Sequence, residues 1–387
     1  MEMYAYYSII FFSTIILSLY IYILSEKTLD IFKNKRREQY SKELVPYVDE
    51  LINNIVDEKQ INEVKIENLK MLMKNKVKRD IIIEHIMYYF QIFKGDIINI
   101  LINVCEEAGI VDYEIKNLNI KNVYKKALAC KKLGEIRSER AIMPLLNEVN
   151  VIDNDVRYNV LLALAKIGDE EAFIEAFESI NTAILLSERS LIEIVDSFEG
   201  NKKYVYQHMI NSKNDFIASV FIKSAGNFKD LSLSEEISKF LFDLDKEKRI
   251  SAIKAIGNMG DVRYIEKIIE LLEDSEWEVR AIAAKSLGRF EDDRILIPLA
   301  KVLSDKQWHV RYNAASSILS APEGLDTVSY IFEGEDKFAK DIMISAIENS
   351  GYMRKIHEYA ISEEDHKRTI AKLITSYIEE KTKGEEI

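Results

Sequence analysis

A unit of about 31 residues recurs through the C-terminal two thirds of the chain and constrains the fold more than any other feature. Its clearest copies carry an arginine, with an aspartate six residues before it. The arginines are Arg249, Arg280 and Arg311, and the aspartates are Asp243, Asp274 and Asp305. Extending the period backwards finds Arg157 and Lys126 at the same position, and weaker copies centre near Glu188, Ala218 and Lys340. A fixed period in the range of about 20–50 residues is the signature of a repeat architecture, so we expect one supersecondary unit per period.

Each copy contains two apolar stripes at helical spacing. Counted from the arginine, positions +3, +4 and +7 are apolar, as in Ala283, Ala284 and Leu287. A second stripe lies upstream at −15, −12 and −8. Glycine is frequent at +8 and +11, and we expect these glycines to end the second helix and admit the turn. They are Gly134, Gly226, Gly257 and Gly288 at +8, and Gly168, Gly260 and Gly351 at +11. One helix pair cannot bury both stripes alone, so about eight pairs must stack.

The spaced aspartates and arginines, with the small residues between them, resemble the HEAT family in its short, PBS-lyase HEAT-like form. The resemblance covers residues 121–380. It implies an all-α fold, a right-handed α-solenoid of HEAT-type helix pairs, and an extended surface that binds other proteins. It also implies that each arginine bridges to the aspartate of a neighbouring repeat, forming a structural ladder, because planar guanidinium groups suit two-point pairing with carboxylates.

Residues 4–24 form a stretch of 21 positions without a charged side chain. A helix rises about 1.5 Å per residue, so this stretch can cross a hydrocarbon core of about 30 Å. Tyrosines stand at both ends of the stretch, as interfacial aromatic belts do. A cleaved signal peptide is the competing interpretation. It is disfavoured because no basic region precedes the apolar run, the run is too long, and no A-x-A-like site follows.

Basic residues near this segment predict its orientation. No lysine or arginine precedes it, whereas six follow within twenty residues: Lys27, Lys33, Lys35, Arg36, Arg37 and Lys42. The positive-inside rule therefore predicts a single-pass protein of the cell membrane, with its N-terminus outside and its C-terminal domain in the cytoplasm.

Residues 25–120 lack the repeat and are predicted to form a juxtamembrane helical region. We expect residues 25–45 to continue the first helix as far as Pro46, because proline is disfavoured inside helices. Further helical runs are predicted around 47–57, 61–78, 80–93 and 96–108.

A row of lysines is the strongest candidate for a binding surface. Lys223, Lys254 and Lys285 recur 31 residues apart at position +5, off the apolar stripe, and Arg289 lies close by. The chain as a whole carries a net charge of −12, so the positive charge is segregated and nucleic acid is not a predicted partner. Trp277 and Trp308, also 31 residues apart, are candidates for apolar contacts with a protein partner. Ordinary solvated lysines remain the alternative interpretation.

Sequence motifs for catalysis or metal binding are lacking. No two of the five histidines have the i, i+4 spacing of a helical metal pair, and there is no HExxH, P-loop or GxSxG motif. Deoxyhypusine hydroxylase, a HEAT-repeat enzyme, uses several His-Glu dipeptides, but this sequence has only His357-Glu358. Phycobilin lyases share the short repeat, but nothing here marks a bilin site. We therefore predict a protein that is not an enzyme, with no metal and no cofactor.

These observations predict a membrane-tethered cytoplasmic scaffold or adaptor for protein–protein interaction. The family resemblance further suggests support of an envelope glycosyltransferase system. The alternative is a regulatory sensor that binds an anionic small molecule or lipid headgroup in the groove of the solenoid.

Overall fold

The computed structural model describes residues 2–58, 63–181 and 186–385, and its regular structure there is entirely helical. The chain divides into two compact units, Met1–Ile167 and Gly168–Ile387. The predicted fold class is confirmed: an all-α array of helix pairs follows a long apolar N-terminal helix.

The first helix, α1 (Glu2–Glu58), is continuous through the apolar segment and far beyond it. Within the described residues it is the one helix long and apolar enough to cross a membrane, and its apolar window is 0% buried. Side chains 10–39 are exposed, and burial begins at Leu44. The predicted end at Pro46 is wrong. Leu44 and Val48 are buried on either side of the proline, so tertiary packing outweighs the loss of one backbone hydrogen bond.

Seven shorter helices complete the first unit in the described residues. They are α2 (Glu63–Leu72), α3 (Lys76–Ile92), α4 (Asp96–Glu107), α5 (Ile110–Asn117), α6 (Val123–Ile136), α7 (Ile142–Leu146) and α8 (Asn154–Ile167). The predicted run 61–78 is divided because Asn75 starts a new helix, its side chain accepting hydrogen bonds from the backbone N–H groups of Val77 and Lys78. The run at 96–108 is confirmed as α4, while α5 was not predicted.

The second unit is a succession of helix pairs in its described part. Its helices are α9 (Glu170–Glu178), α10 (Glu188–Asp196), α11 (Lys202–Met209), α12 (Asp215–Phe228), α13 (Ser234–Ser238), α14 (Lys246–Met259), α15 (Ile265–Glu270), α16 (Trp277–Leu287), α17 (Leu296–Lys301), α18 (Trp308–Ser320), α19 (Gly324–Glu333), α20 (Lys337–Ser350), α21 (Met353–Ala360) and α22 (Asp365–Glu385). Odd-numbered helices come first in each pair and even-numbered helices second. Both predicted apolar stripes are buried, as Ala283, Leu287, Leu299 and Leu303 show.

Gly288 ends α16 as predicted, but the other three glycines at +8, Gly134, Gly226 and Gly257, have a different role. Gly226 and Gly257 lie inside α12 and α14, not at the ends of these helices. A Cβ added to Gly226 would come within 2.5 Å of the Cα of Ala255, on the next second helix. Glycine is therefore required because two helix backbones approach closely. At +11 the expectation is correct: Gly260 ends α14 in the left-handed conformation, with φ at +70°.

Candidate binding face on the second helices

Arg249 on α14 joins its own repeat to the following one. Its Nε and Nη2 atoms donate to the two carboxylate oxygens of Asp274 at 2.9 and 3.0 Å. Its Nη1 atom donates to the backbone carbonyls of Asp243 and Leu244 at 2.9 and 3.1 Å. One guanidinium thus closes the turn of its own pair and holds the aspartate of the next pair.

Arg280 on α16 repeats this arrangement one unit later. It donates to Asp305 at 2.7 and 3.1 Å, and to the carbonyl of Asp274 at 2.8 Å. The two side chains are only 16% and 10% exposed, so water screens the pair weakly. Burial alone would raise the pKa of Asp305, but hydrogen bonds from Arg280 and from the backbone N–H of Gln307 hold that pKa below its ordinary value near 3.8.

The ladder stops at Arg311 on α18. Its Nη1 atom donates to the carbonyl of Asp305 at 2.7 Å, as its counterparts do, but its buried Nε has no hydrogen-bond partner. No carboxylate of the described residues lies within ion-pair distance of it. Six residues before Lys340, where the two earlier repeats have the ladder aspartate, this repeat has Gly334. The third rung is therefore missing because its acceptor is absent.

A second ladder, not predicted from the sequence, crosses the second helices four residues beyond the lysines. The Nδ2 atom of Asn227 donates to Asp196 at 3.0 Å, and that of Asn258 donates to Asn227 at 3.4 Å. Arg289 donates to Asn258. Successive members of this set, from Asp196 to Arg289, are 31 residues apart. Asp196 therefore fixes the register of the repeat copy near residue 188, in which the sequence pattern is weak. The 31-residue spacing of these four residues could have predicted this ladder from the sequence. It was missed because the residues are of different types.

The three predicted lysines differ in their surroundings. Lys223 is ion-paired with Glu188 and its side chain is 10% exposed. Lys254 is half-buried, yet no carboxylate of the described residues lies within ion-pair distance of it. Burial and then the charge of Lys223 hold the pKa of Lys254 below its ordinary value near 10.5. Lys285 is exposed and has no ion pair in the described part of the chain. The uncompensated positive charge is thus at Lys254 and Lys285, with Arg289 exposed beside them.

The two tryptophans lie in an aromatic cluster at the start of α16 and α18. Trp277 stacks on His309 with ring centroids 5.4 Å apart, and Trp308 stacks on Tyr312 at 4.9 Å. Trp308 remains 49% exposed. Lys285 follows Trp277 by eight residues, about 12 Å along the helix and about 80° around it. The structure therefore places tryptophans and lysines on neighbouring parts of the helices, not in one cluster.

Groups with catalytic or metal-binding chemistry are sparse here. Within the described residues there is no group of three His, Cys, Asp or Glu side chains that could hold a metal ion. Cys105 and Cys130 are buried free thiols, and burial raises the pKa of Cys130 to about 12. Such thiols are protonated at neutral pH and behave as small apolar core residues.

Stacked helix pairs with an arginine–aspartate ladder define a class of α-helical repeat protein. The HEAT repeats model matches residues 265–323, and the PBS lyase HEAT-like repeat model matches residues 248–274. Residues 248–323 are therefore similar to HEAT repeats, and their first part is similar to repeats of the PBS lyase HEAT-like kind. No curated protein matches it.

Solved structures with similar helical stacking share little sequence with this chain. An engineered protein is 18% identical, with a TM-score of 0.33, over 81% of this chain and 98% of its own. The complex of CpcE and CpcF of phycocyanin lyase from Nostoc sp. PCC7120 is 17% identical, with a TM-score of 0.29, over 69% and 94%. Kap95p, solved with RanGDP, is 14% identical, with a TM-score of 0.39, over 90% and 57%. All three TM-scores are below 0.5, so no further conclusion rests on them.

Replacing Arg280 with Ala should lower the free energy of unfolding by about 1–3 kcal/mol, because it leaves the carboxylate of Asp305 and the carbonyl of Asp274 without their donor. Hydrogen exchange in the full-length protein in detergent measures the change, and we expect it in α16 and α18. The low pKa of Asp305 means that the rung stabilises the fold above about pH 4 and is lost as the pH falls further. The difference between wild type and variant should therefore shrink in acid. Equal protection of the two proteins at pH 7 would contradict a structural role.

Replacing Gly334 with Asp should add the missing rung and stabilise the junction of α18 and α20 by about 1–2 kcal/mol. The backbone of Gly334, with φ −65° and ψ 173°, is extended like that of Asp305, and an added Cβ would approach the carbonyl of Ile331 at 3.3 Å. Hydrogen exchange of α18 and α20 is the measurement. Gly334→Ala is the matched control, and Arg311→Ala should abolish the gain. A Gly334→Asp variant no better protected than Gly334→Ala would show that the carboxylate does not reach Arg311.

Proposed function

We propose that this chain is a membrane-tethered, non-catalytic scaffold that binds a protein partner on its second helices. The HEAT repeats support protein binding in general terms, because such arrays are extended surfaces built on a rigid core. The class of partner suggested by the family resemblance, an envelope glycosyltransferase system, is part of this proposal.

Support for the tether comes from the exposure of α1. Its apolar window has no contact with a core, although large apolar patches are normally covered. The apolar surface does not stop at residue 24, since Leu29 and Phe32 remain 51% and 71% exposed among the following basic residues. Apolar side chains mixed with lysine and arginine suit the interface between lipid and water. In a single-pass anchor this whole apolar surface contacts lipid, which is more favourable than contact with water.

Lys254 is the observation that carries the proposed binding face. The other half-buried lysines on the neighbouring second helices are paired: Lys223 with Glu188, Lys246 with Glu278, and Lys248 with Asp215. Lys254 has no ion pair within the described residues, and a half-buried cation of this kind, flanked by two more lysines, is costly in the free protein. A carboxylate from a partner would offset this cost. Complementary charge of this kind sets the register and the speed of association, while affinity comes from neighbouring apolar contacts such as Trp308.

Reversing the charge at Lys254 and Lys285 together should reduce recovery of the partner at least tenfold. The proposed partner binds through an acidic segment, and two glutamates on this face would repel it. Lys223 is left unchanged because it holds Glu188. The measurement is a pull-down of the detergent-solubilised full chain, quantified by mass spectrometry. A matched control variant reverses two exposed lysines away from this face, Lys203 and Lys306, and should recover the partner as wild type does.

Circular dichroism establishes that both variants are folded. If a folded Lys254→Glu, Lys285→Glu variant recovered the partner as well as wild type does, these lysines would be ordinary solvated residues and not a binding surface. A phosphate-rich small molecule or lipid that copurifies with wild type, in place of a protein, and is lost in the variant would favour the alternative function, a sensor of anionic ligands.

The proposed orientation predicts a cytoplasmic C-terminus. A green fluorescent protein fused after residue 387 should fluoresce, and an alkaline phosphatase fused there should be inactive, because the basic residues follow the apolar segment. The same reporters fused before residue 1 are the control and should give the opposite result. Phosphatase activity at the C-terminal fusion would reverse the assigned topology.

A further inference from the structure

A cleft of about 730 Å³ opens in the second unit, on a side of the repeats formed by first helices. Its walls are α17 and α19, and its floor includes Leu303, Ile331 and Ala339. The volume lies in the range of about 300–1,000 Å³ typical of ligand sites. The residues at its rims, Ile297 and Tyr330, are 69% and 74% exposed. The cleft therefore offers apolar surface to a partner without any rearrangement.

The cleft coincides with the break in the arginine–aspartate ladder. Gly334, which stands at the ladder position and leaves Arg311 without a carboxylate, is itself one of the lining residues. Asp336 lies two residues later, where it accepts hydrogen bonds from the backbone N–H groups of Phe338 and Ala339 and from Ser304. The repeat is two residues shorter here, and its aspartate caps α20 in place of joining Arg311. Without a side chain at Gly334, the junction stays open at this end.

The charges around the cleft are mostly negative. Glu333, Glu335 and Asp336 line it, against a single cation, Lys301. Glu333 and Glu335 are exposed, and neither has an ion pair within the described part of the chain. Asp336 is engaged in capping α20. Two free carboxylates beside an apolar trough are complementary to a segment that combines large apolar side chains with lysine or arginine.

We propose that this cleft is a second docking site, which binds an apolar, basic peptide segment of a partner protein. The apolar side chains of the segment enter between Ile297 and Tyr330, and its basic residues pair with Glu333 and Glu335. This chemistry is opposite to that of the lysine face, which selects an acidic segment. The two sites are therefore independent, and either one can fail its test without the other.

Site-specific photo-crosslinking in cells that produce the full chain tests the proposal. A benzophenone amino acid replaces Tyr330 at the rim, and the same amino acid at Phe242, which is 53% exposed and outside the cleft, gives the background. Mass spectrometry maps the segment captured from Tyr330. We expect a protein segment with a large apolar residue within a few positions of lysine or arginine. Its yield should exceed the Phe242 background at least fivefold.

Two variants separate the cleft from its surroundings. Glu333→Lys with Glu335→Lys should lower the cross-linking yield at least fivefold, whereas Glu273→Lys with Glu291→Lys, the same change at exposed carboxylates elsewhere, should leave it unchanged. Ala300→Trp should fill the trough and lower the yield as well. Both charge variants are surface changes, so the test does not depend on whether the tryptophan variant folds. A yield no higher than background, capture of lipid, of an acidic segment or of a second copy of this chain, or an equal effect of the two charge variants would overturn the proposal.

Discussion

The close contact between successive second helices is the constraint on which the rest of the array depends. At Gly226 and Ala255 two helix backbones approach so closely that a Cβ has no room. Gly257 approaches Ser286 in the same way, so α14 lies close to α16. At this junction Arg249 bonds to Asp274 and to the turn of its own repeat. Buried apolar side chains pack between the helices, and each arginine rung bonds one repeat to the next. The close approach recurs at Gly134, Gly257 and Gly288, so in these copies the period of the sequence is also the period of the structure.

Sequence periodicity was sufficient for the features that every copy repeats. The helix pairs and their apolar stripes follow from residues of the same type at the same spacing, and the rungs at Arg249 and Arg280 were implied by the family resemblance. The role of Gly226 did not follow, because a glycine near the end of an apolar stripe can end a helix or allow another helix to approach. Only the position of the neighbouring backbone decides between these roles. The continuation of α1 through Pro46 depended likewise on tertiary burial, which local propensity does not record.

Features that vary from copy to copy were harder to predict, and they are the ones with a bearing on function. Asp196, Asn227, Asn258 and Arg289 occupy one register position with three residue types, so no motif marks the ladder they form. The lysines at +5 are alike in sequence but not in surroundings. Glu188 forms an ion pair with Lys223, whereas Lys254 has no ion pair in the described part of the chain. The residue that pairs with a lysine comes from a neighbouring helix, and its identity changes along the array. The repeat therefore predicts which helix face carries the lysines. The acidic residues on neighbouring helices, which differ from copy to copy, determine how much of their charge is neutralised.

The same reasoning explains why the two proposed sites have opposite chemistry on one regular scaffold. A repeat array is stabilised by the sum of its interfaces, so one interface can lose a rung if its neighbours keep theirs. The glycine at the ladder position, Gly334, has such a local cost, since Arg311 keeps its carbonyl contact at 2.7 Å while its Nε atom has no acceptor. The space left by the missing side chain lies at the end of a trough between α17 and α19. The rung is absent there, and accessible apolar surface bordered by carboxylates lies beside it. In this proposal, departures from the repeat are the positions at which a uniform scaffold acquires distinct binding sites.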